Sequence, residues 1–207
     1  MNNMVNGSLR RDLQLIADLI EPGARVLDVG SSDGALLAYL AAYKNIDARG
    51  LELSWEGVRA SVARGVSVVQ GDADQDLPLY PDNSFDYVIL SQTLQAVAHP
   101  QGVLRDIMRI GRRGIVSLTN YGHWRARLSI AFRGRMPVAR CLPAPWYATA
   151  NIHPCTLADF EDLVSHMGFV IERFTGLDDK GEPRRTHAGR GLANLLSHQG
   201  LYLLARP

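Results

Sequence analysis

The chain has 207 residues, 46% of them apolar and 21% charged, with a formal net charge of +1. That size suits one domain with a sizeable core, and that composition excludes a disordered, collagenous or membrane-embedded chain. The near-neutral balance points to neither nucleic acid nor a membrane as partner, and the two cysteines, Cys141 and Cys155, form no C-x-x-C pair, which excludes a disulfide framework and fits a reducing cytoplasm.

Arg10, Arg11, Asp12 and Asp18 interrupt the N-terminal stretch, so no signal peptide or membrane anchor is expected. Leu9, Leu13, Ile16 and Ile20 fall at helical spacing and predict an opening amphipathic helix that Pro22-Gly23 stops. "RVLDV" (25–29) predicts a strand, "GSSDG" a tight turn and "ALLAYLAAY" a helix. "ARGLEL" (48–53) is a second strand, followed by a helix that Ser54 is placed to cap. "VSVVQGD" (66–72) and "FDYVILS" (85–91) are strands three and four, with the turn-rich "DQDLPLYPDNS" between them. Val103, Leu104, Ile107 and Ile110 form a helix face, and "GIVSLTN" (114–120) is the fifth strand.

After Asn120 the pattern breaks into a loop-rich insertion, 121–156, in the position of a lid. Thr156 with Asp159 reads as a capping box, opening a helix with Phe160, Leu163, Val164 and Met167 as its buried face and Gly168 as its stop. "FVIERFTGL" and "GLYLLAR" supply two closing strands. Seven strands this apolar, alternating with helices, predict an α/β fold: a single domain over 1–207 built on a doubly wound, mostly parallel seven-stranded sheet. Its ligands belong at the carboxyl ends of the strands.

The glycine turn selects between two ligand classes. A dinucleotide site wants G-x-G-x-x-G under a pyrophosphate, whereas here the glycines are Gly30 and Gly34, and Asp28 and Asp33 would repel phosphates. A cationic ligand makes those acids favourable, and S-adenosylmethionine carries a sulfonium and an ammonium. Glu52 ends the second strand, where a carboxylate can accept from ribose hydroxyls, and Asp72 ends the third, where it can accept from the adenine amine. Each acid alone would also serve as a cap of a neighbouring helix or turn; three in step point to one crevice.

D-x-G-x-x-x-G, the acid after the second strand, "GDAD" and "FDYVILSQTLQ" resemble a class I S-adenosylmethionine-dependent methyltransferase, a Rossmann-like fold. "SFDYVILSQTLQAV", "GRRGIVSLTNYGHWRAR", "PWYATANIHPCTLADFEDL" and "LYLLAR" are similar, more narrowly, to the MetW family of bacterial methionine biosynthesis. The resemblance implies a cytoplasmic protein that binds S-adenosylmethionine or S-adenosylhomocysteine and works with a homoserine O-acyltransferase of MetX type, as partner and regulator. The alternative is an active methyltransferase on an unidentified small molecule. The expected cofactor residues are Asp28, Gly30, Ser32, Gly34, Glu52, Leu53, Asp72, Ala73 and Ser91. Ser32 departs from the family's usual G-C-G-D-G, which has glycine there; its side chain either crowds the cofactor's amino-acid end or bonds to it.

No residue is assigned to catalysis. His99, before Pro100, reads as a turn histidine rather than a base, and Cys141, His153, Cys155 and His123 match no usual zinc spacing, so no metal is expected. No G-x-S-x-G, P-loop, H-E-x-x-H or N-P-P-Y motif occurs. Tyr121, His123, Trp124, Trp146, Tyr147 and His153 make either an aromatic wall for a substrate or the packed underside of a lid. From Ile107 to Ala158 there is no acidic residue, while Arg125, Arg127, Arg133, Arg135 and Arg140 crowd one segment. A solvated lid accounts for them, but with the family resemblance a docking surface for an acidic partner is the preferred reading.

Overall fold

Two hydrophobic periods, two residues in the strands and 3.6 in the helices, organise the chain. The structure is a computed structural model and describes residues 9–137, 146–184 and 190–207. Its elements in order are α1 (Arg11–Asp18), β1 (Arg25–Val29), α2 (Ala35–Lys44), β2 (Asp47–Glu52), α3 (Trp55–Ala63), β3 (Ser67–Gln70) and α4 (Ala73–Asp76). A 3₁₀ turn (Leu77–Leu79), β4 (Phe85–Ser91), α5 (Pro100–Ile110), β5 (Gly111–Thr119) and α6 (Trp124–Arg133) follow. The chain closes with α7 (Leu157–His166), β6 (Val170–Leu177), α8 (Arg190–Leu196) and β7 (Gln199–Ala205).

The sheet runs β3-β2-β1-β4-β5-β7-β6, and β7 is antiparallel to both its neighbours, so the sheet is mixed. Strand alternation builds a core on each face. Val26, Tyr87, Ile89 and Ile115 pack with Ile16 of α1, with Ile20 just past its end, and with Leu36 and Leu40 of α2. Leu27, Val88, Leu90 and Val116 pack on the other face with Leu104, Ile107, Phe160 and Val164 of α5 and α7. Leu104 is fully buried, so its truncation to alanine would cost about 2–5 kcal/mol.

Local signals explain the helix ends. Ser54 accepts from the Gly57 amide at 3.0 Å, and Thr156 and Asp159 form the reciprocal capping box. Lys44 Nζ donates to the Ala17 and Ile20 carbonyls, each at 2.6 Å, which satisfies the C-terminal end of α1. Three short helices depart from expectation. The turn-rich segment after Asp72 winds into α4 and the 3₁₀ turn, α8 precedes β7, and the loop-rich insertion contains the ten-residue α6. In α6 the apolar spacing Trp124, Leu128, Phe132 is helical, but Gly122, Gly134 and Pro137 around it read as loop. Among the described residues no helix is long and apolar enough to cross a membrane.

Candidate functional site

Strand order reverses between β1 and β4, which opens a crevice at their carboxyl ends. The turn after β1 forms one wall. Gly30 and Gly34 have φ of +76° and +72°, conformations that side chains resist. A side chain on Gly30 would also strike Thr93, whose hydroxyl donates to the Val29 carbonyl at 2.9 Å and straps the loop after β4 to the end of β1. Gly34 packs against Ser61, which donates to the Ser32 carbonyl at 3.1 Å.

Ser32, where the family pattern has glycine, is itself left-handed at φ +51°. Its amide donates to Glu52 Oε2 at 2.8 Å, and Glu52 Oε1 accepts from the Ser54 amide at 2.8 Å. Glu52, 8% exposed, therefore clamps the turn to the start of α3. Each of its oxygens keeps a second lone pair for a ligand hydroxyl. The Ser32 side chain is exposed, and Ser31 beside it is buried with its hydroxyl unpartnered.

The other acids divide. Asp33 is taken by Arg64 at 2.6 Å and by the Ala35 amide, so it completes the start of α2. Asp72 caps α4 through the Asp74 amide at 2.9 Å, while its own amide donates to Asp76 at 2.7 Å. Asp28 has no such duty. It is 3% exposed, its Oδ1 has no hydrogen-bond partner, and burial with the nearby Glu52 carboxylate pushes its carboxyl up to about 7. A buried carboxylate at a switch point with an empty acceptor is chemically a seat for a cation or an N–H donor. Of the remaining expected contacts, Leu53 is 67% exposed beside Glu52, Ala73 opens α4, and the Ser91 carbonyl accepts from Thr93 at 3.2 Å.

The loops after β4 and β5 are knit by side-chain amides that the sequence shows only as a bare motif. Gln95, 2% exposed, accepts from the Thr119 amide at 2.9 Å and donates to the Thr119 carbonyl at 3.0 Å. Its backbone carbonyl accepts from the Ile152 and His153 amides, both at 3.0 Å, tying the insertion to the crevice. Gln92, at φ +60°, bonds the Thr119 hydroxyl at 2.9 Å. Asn120 donates to the Asn194 and Ser197 carbonyls, each at 2.7 Å, and so locks the end of β5 to α8. Buried glutamines and asparagines carry no hydrophobic period, so no pattern in the chain announces them.

The aromatic and histidine residues of the insertion divide between exposed and packed positions. Tyr121 and Trp146 line one open cleft of about 350 Å³ with Met136, Asn151 and Ile152. His123 does not face it. That ring is 3% exposed, stacks on His198 with centroids 3.8 Å apart, and caps α6 by accepting from the Arg125 amide at 3.3 Å. Burial, then the neighbouring His198, pushes His123 down to about 4, so it is neutral at physiological pH. Trp124 lies against Arg125, with the guanidinium 5.2 Å from the ring centroid, and Tyr147 meets Trp146 edge-on and is 75% exposed. His153 is exposed, its Nε2 3.3 Å from the Ala98 carbonyl. Arg125, Arg127, Arg133 and Arg135 are exposed, and Arg140 lies outside the described residues.

Comparisons with known proteins agree with this architecture. A SAM-dependent methyltransferase of Thermotoga maritima superposes with a TM-score of 0.66 at 21% identity, covering 95% of this chain and 88% of that one. A demethylmenaquinone methyltransferase of Listeria monocytogenes is 30% identical over 191 residues, 82% of this chain and 79% of that protein. The bifunctional methionine biosynthesis protein MetXA/MetW of Rhodopirellula baltica is 32% identical over 185 residues. That match takes in 84% of this chain but only 30% of the longer relative. Residues 10–204 match the family described as methionine biosynthesis protein MetW, and with the class I methyltransferase fold already in view, the chain belongs to that family.

Proposed function

We propose that this protein binds S-adenosylmethionine or S-adenosylhomocysteine in the crevice between β1 and β4 and regulates a homoserine O-acyltransferase through direct contact. The observation that carries the reading is Asp28: a buried carboxyl with an unpartnered oxygen, beside Glu52, at the switch point of a methyltransferase fold. When bound, S-adenosylmethionine brings an electrophilic methyl on a sulfonium. Asp28 faces the ligand's positive charge, Glu52 accepts its ribose hydroxyls, and Asp72 with Leu53 and Ala73 receives the adenine. Gly30, Ser32, Gly34 and Ser91 surround the amino-acid end.

Regulation is favoured over methyl transfer by the cleft beside the crevice. Among the described residues that line it Tyr121 is the sole titratable side chain, with no carboxylate, lysine or imidazole to take a proton from an acceptor. Partnership is supported by the Rhodopirellula relative, whose name joins MetXA and MetW in one polypeptide. The candidate docking surface lies on the insertion, around Arg125 and Arg127 of α6. Because S-adenosylmethionine lies downstream of homoserine acylation, its binding would report pathway output to the acyltransferase.

The test pairs calorimetry with an assay of ester formation. Either adenosyl ligand should bind with one-to-one stoichiometry, and adding this protein should change acyltransferase output in a ligand-dependent way. Multiple-turnover release of S-adenosylhomocysteine by the isolated protein, with no effect on the acyltransferase, would replace this reading by the methyltransferase one.

A further inference from the structure

We infer that α6 is the docking element itself: an arginine-flanked apolar helix whose outer stripe seats in an acid-rimmed hydrophobic groove on the acyltransferase. The inference rests on the partnership proposed above and adds the surface that makes it.

The helix reads WRARLSIAFR, and one of its residues, Ala126, is buried. Trp124, Leu128 and Phe132 lie at i, i+4 and i+8 on the side opposite Ala126, exposed by 40%, 44% and 82%. Arg125 and Arg127 stand on either flank of that stripe by the same helical spacing. An isolated ten-residue helix is marginal, and one buried alanine supplies little packing. Its ends are held instead by His123 at the N-terminus and by Gly134, φ +59°, whose amide donates to the Ile130 carbonyl at 3.1 Å. Well-capped ends with an unburied apolar face describe a helix preformed for another surface.

The flanking arginines are also preset. Arg127 Nε donates to the Gly122 carbonyl at 2.6 Å, and Arg125 lies over Trp124. Apolar anchors at helical spacing with cationic flanks are the pattern of helix-in-groove recognition, with acids on the partner's rims. Trp146 and Tyr147, 73% and 75% exposed, are two further exposed aromatics of the same insertion. Arg133 falls seven residues after Ala126, on the same side of the helix and away from the stripe. The charge that matters is therefore the Arg125–Arg127 pair.

The test is surface plasmon resonance between the full-length protein and the host's homoserine O-acyltransferase. Phe132→Asp and Leu128→Asp should each weaken the complex by about thirtyfold, mainly in dissociation rate. Arg125→Glu should slow association, and Arg133→Glu should leave both rates within about twofold. Affinity for S-adenosylhomocysteine and the unfolding midpoint should be those of wild type in all four. Hydrogen exchange on the unaltered protein supplies a reading free of folding artefacts: amides of residues 124–133 should gain protection when the acyltransferase is added. Wild-type binding by the Phe132 variant, or unchanged exchange in α6 within a formed complex, overturns the groove assignment while the partnership stands. No complex with the wild-type protein overturns the partnership. Phe132-dependent binding to anionic vesicles, or Phe132-dependent dimers, without acyltransferase binding shows that the stripe belongs to a membrane or a second copy and also overturns it.

Discussion

Replacing Asp28 by asparagine removes a buried carboxyl of the crevice that has an unpartnered oxygen, and with it a pH-dependent cost to stability. In the folded protein Asp28 titrates at about 7, against 3.8 for the free group, and burial is the larger cause with Glu52 second. Between those pH values the folded state holds a proton that the unfolded chain has lost, so stability falls as pH rises through the window. At about 1.4 kcal/mol per pH unit the full cost at pH 8 is on the order of 4 kcal/mol. The asparagine side chain bears no charge and lacks that slope. The stacked histidines act in the opposite sense, since His123 and His198 are pushed down, but their contribution is common to both proteins and cancels in the difference. Urea denaturation at pH 4.5, 6 and 8 should therefore show Asp28→Asn gaining on wild type by about 3 kcal/mol as pH rises. Ligand binding should move the other way: a cation beside Asp28 favours its ionised form, so wild-type affinity for S-adenosylmethionine should rise from pH 6 to 8 and the variant's should not. Parallel stability profiles for the two proteins would refute the assignment of a neutral, ligand-seeking Asp28.

Three further outcomes follow from the site. Ser32 is held at φ +51°, so Ser32→Gly should be neutral or stabilising by up to ~1 kcal/mol, while Ser32→Val should cost about 1–2 kcal/mol in urea denaturation; equal effects would mean the turn is not left-handed in solution. Gln95→Ala strips partners from both the amide and the carbonyl of buried Thr119 and should cost about 2–4 kcal/mol, a midpoint within error of wild type being the contrary result. His123→Asn keeps a capping acceptor but removes a group whose folded pKa lies below its unfolded value; stability lost by wild type as pH falls from 6.5 towards about 4 should be lost less steeply by the variant, as thermal melts at pH 7 and 4.5 would show.

The parts of the fold legible in the sequence are those that burial and capping write locally. β1 and β4 occupy the segments their apolar runs mark, and the Thr156–Asp159 box closes as its spacing requires. α6 is hidden because its stripe faces outward, so it resembles neither a buried helix nor a polar loop. The acids of the crevice mark the limit of what spacing can tell. Asp28, Glu52 and Asp72 do stand at the ends of successive strands, yet Asp72 caps α4 and Glu52 clamps the turn, duties that a sequence cannot separate from ligand contact. Spacing leaves open whether His123 joins a substrate wall or the packed underside of a lid, because its partner, His198, lies beyond the insertion in sequence and meets it only through the fold.

Regulation requires coupling between the crevice and the partner, and one thermodynamic cycle measures it. The affinity of the protein for S-adenosylmethionine is determined alone and with saturating acyltransferase; the affinity for the acyltransferase is then determined with and without saturating S-adenosylmethionine. The two ratios must be equal and must differ from one, by about 5-fold or more for a coupling of 1 kcal/mol. Tight binding of both ligands with both ratios equal to one would contradict it.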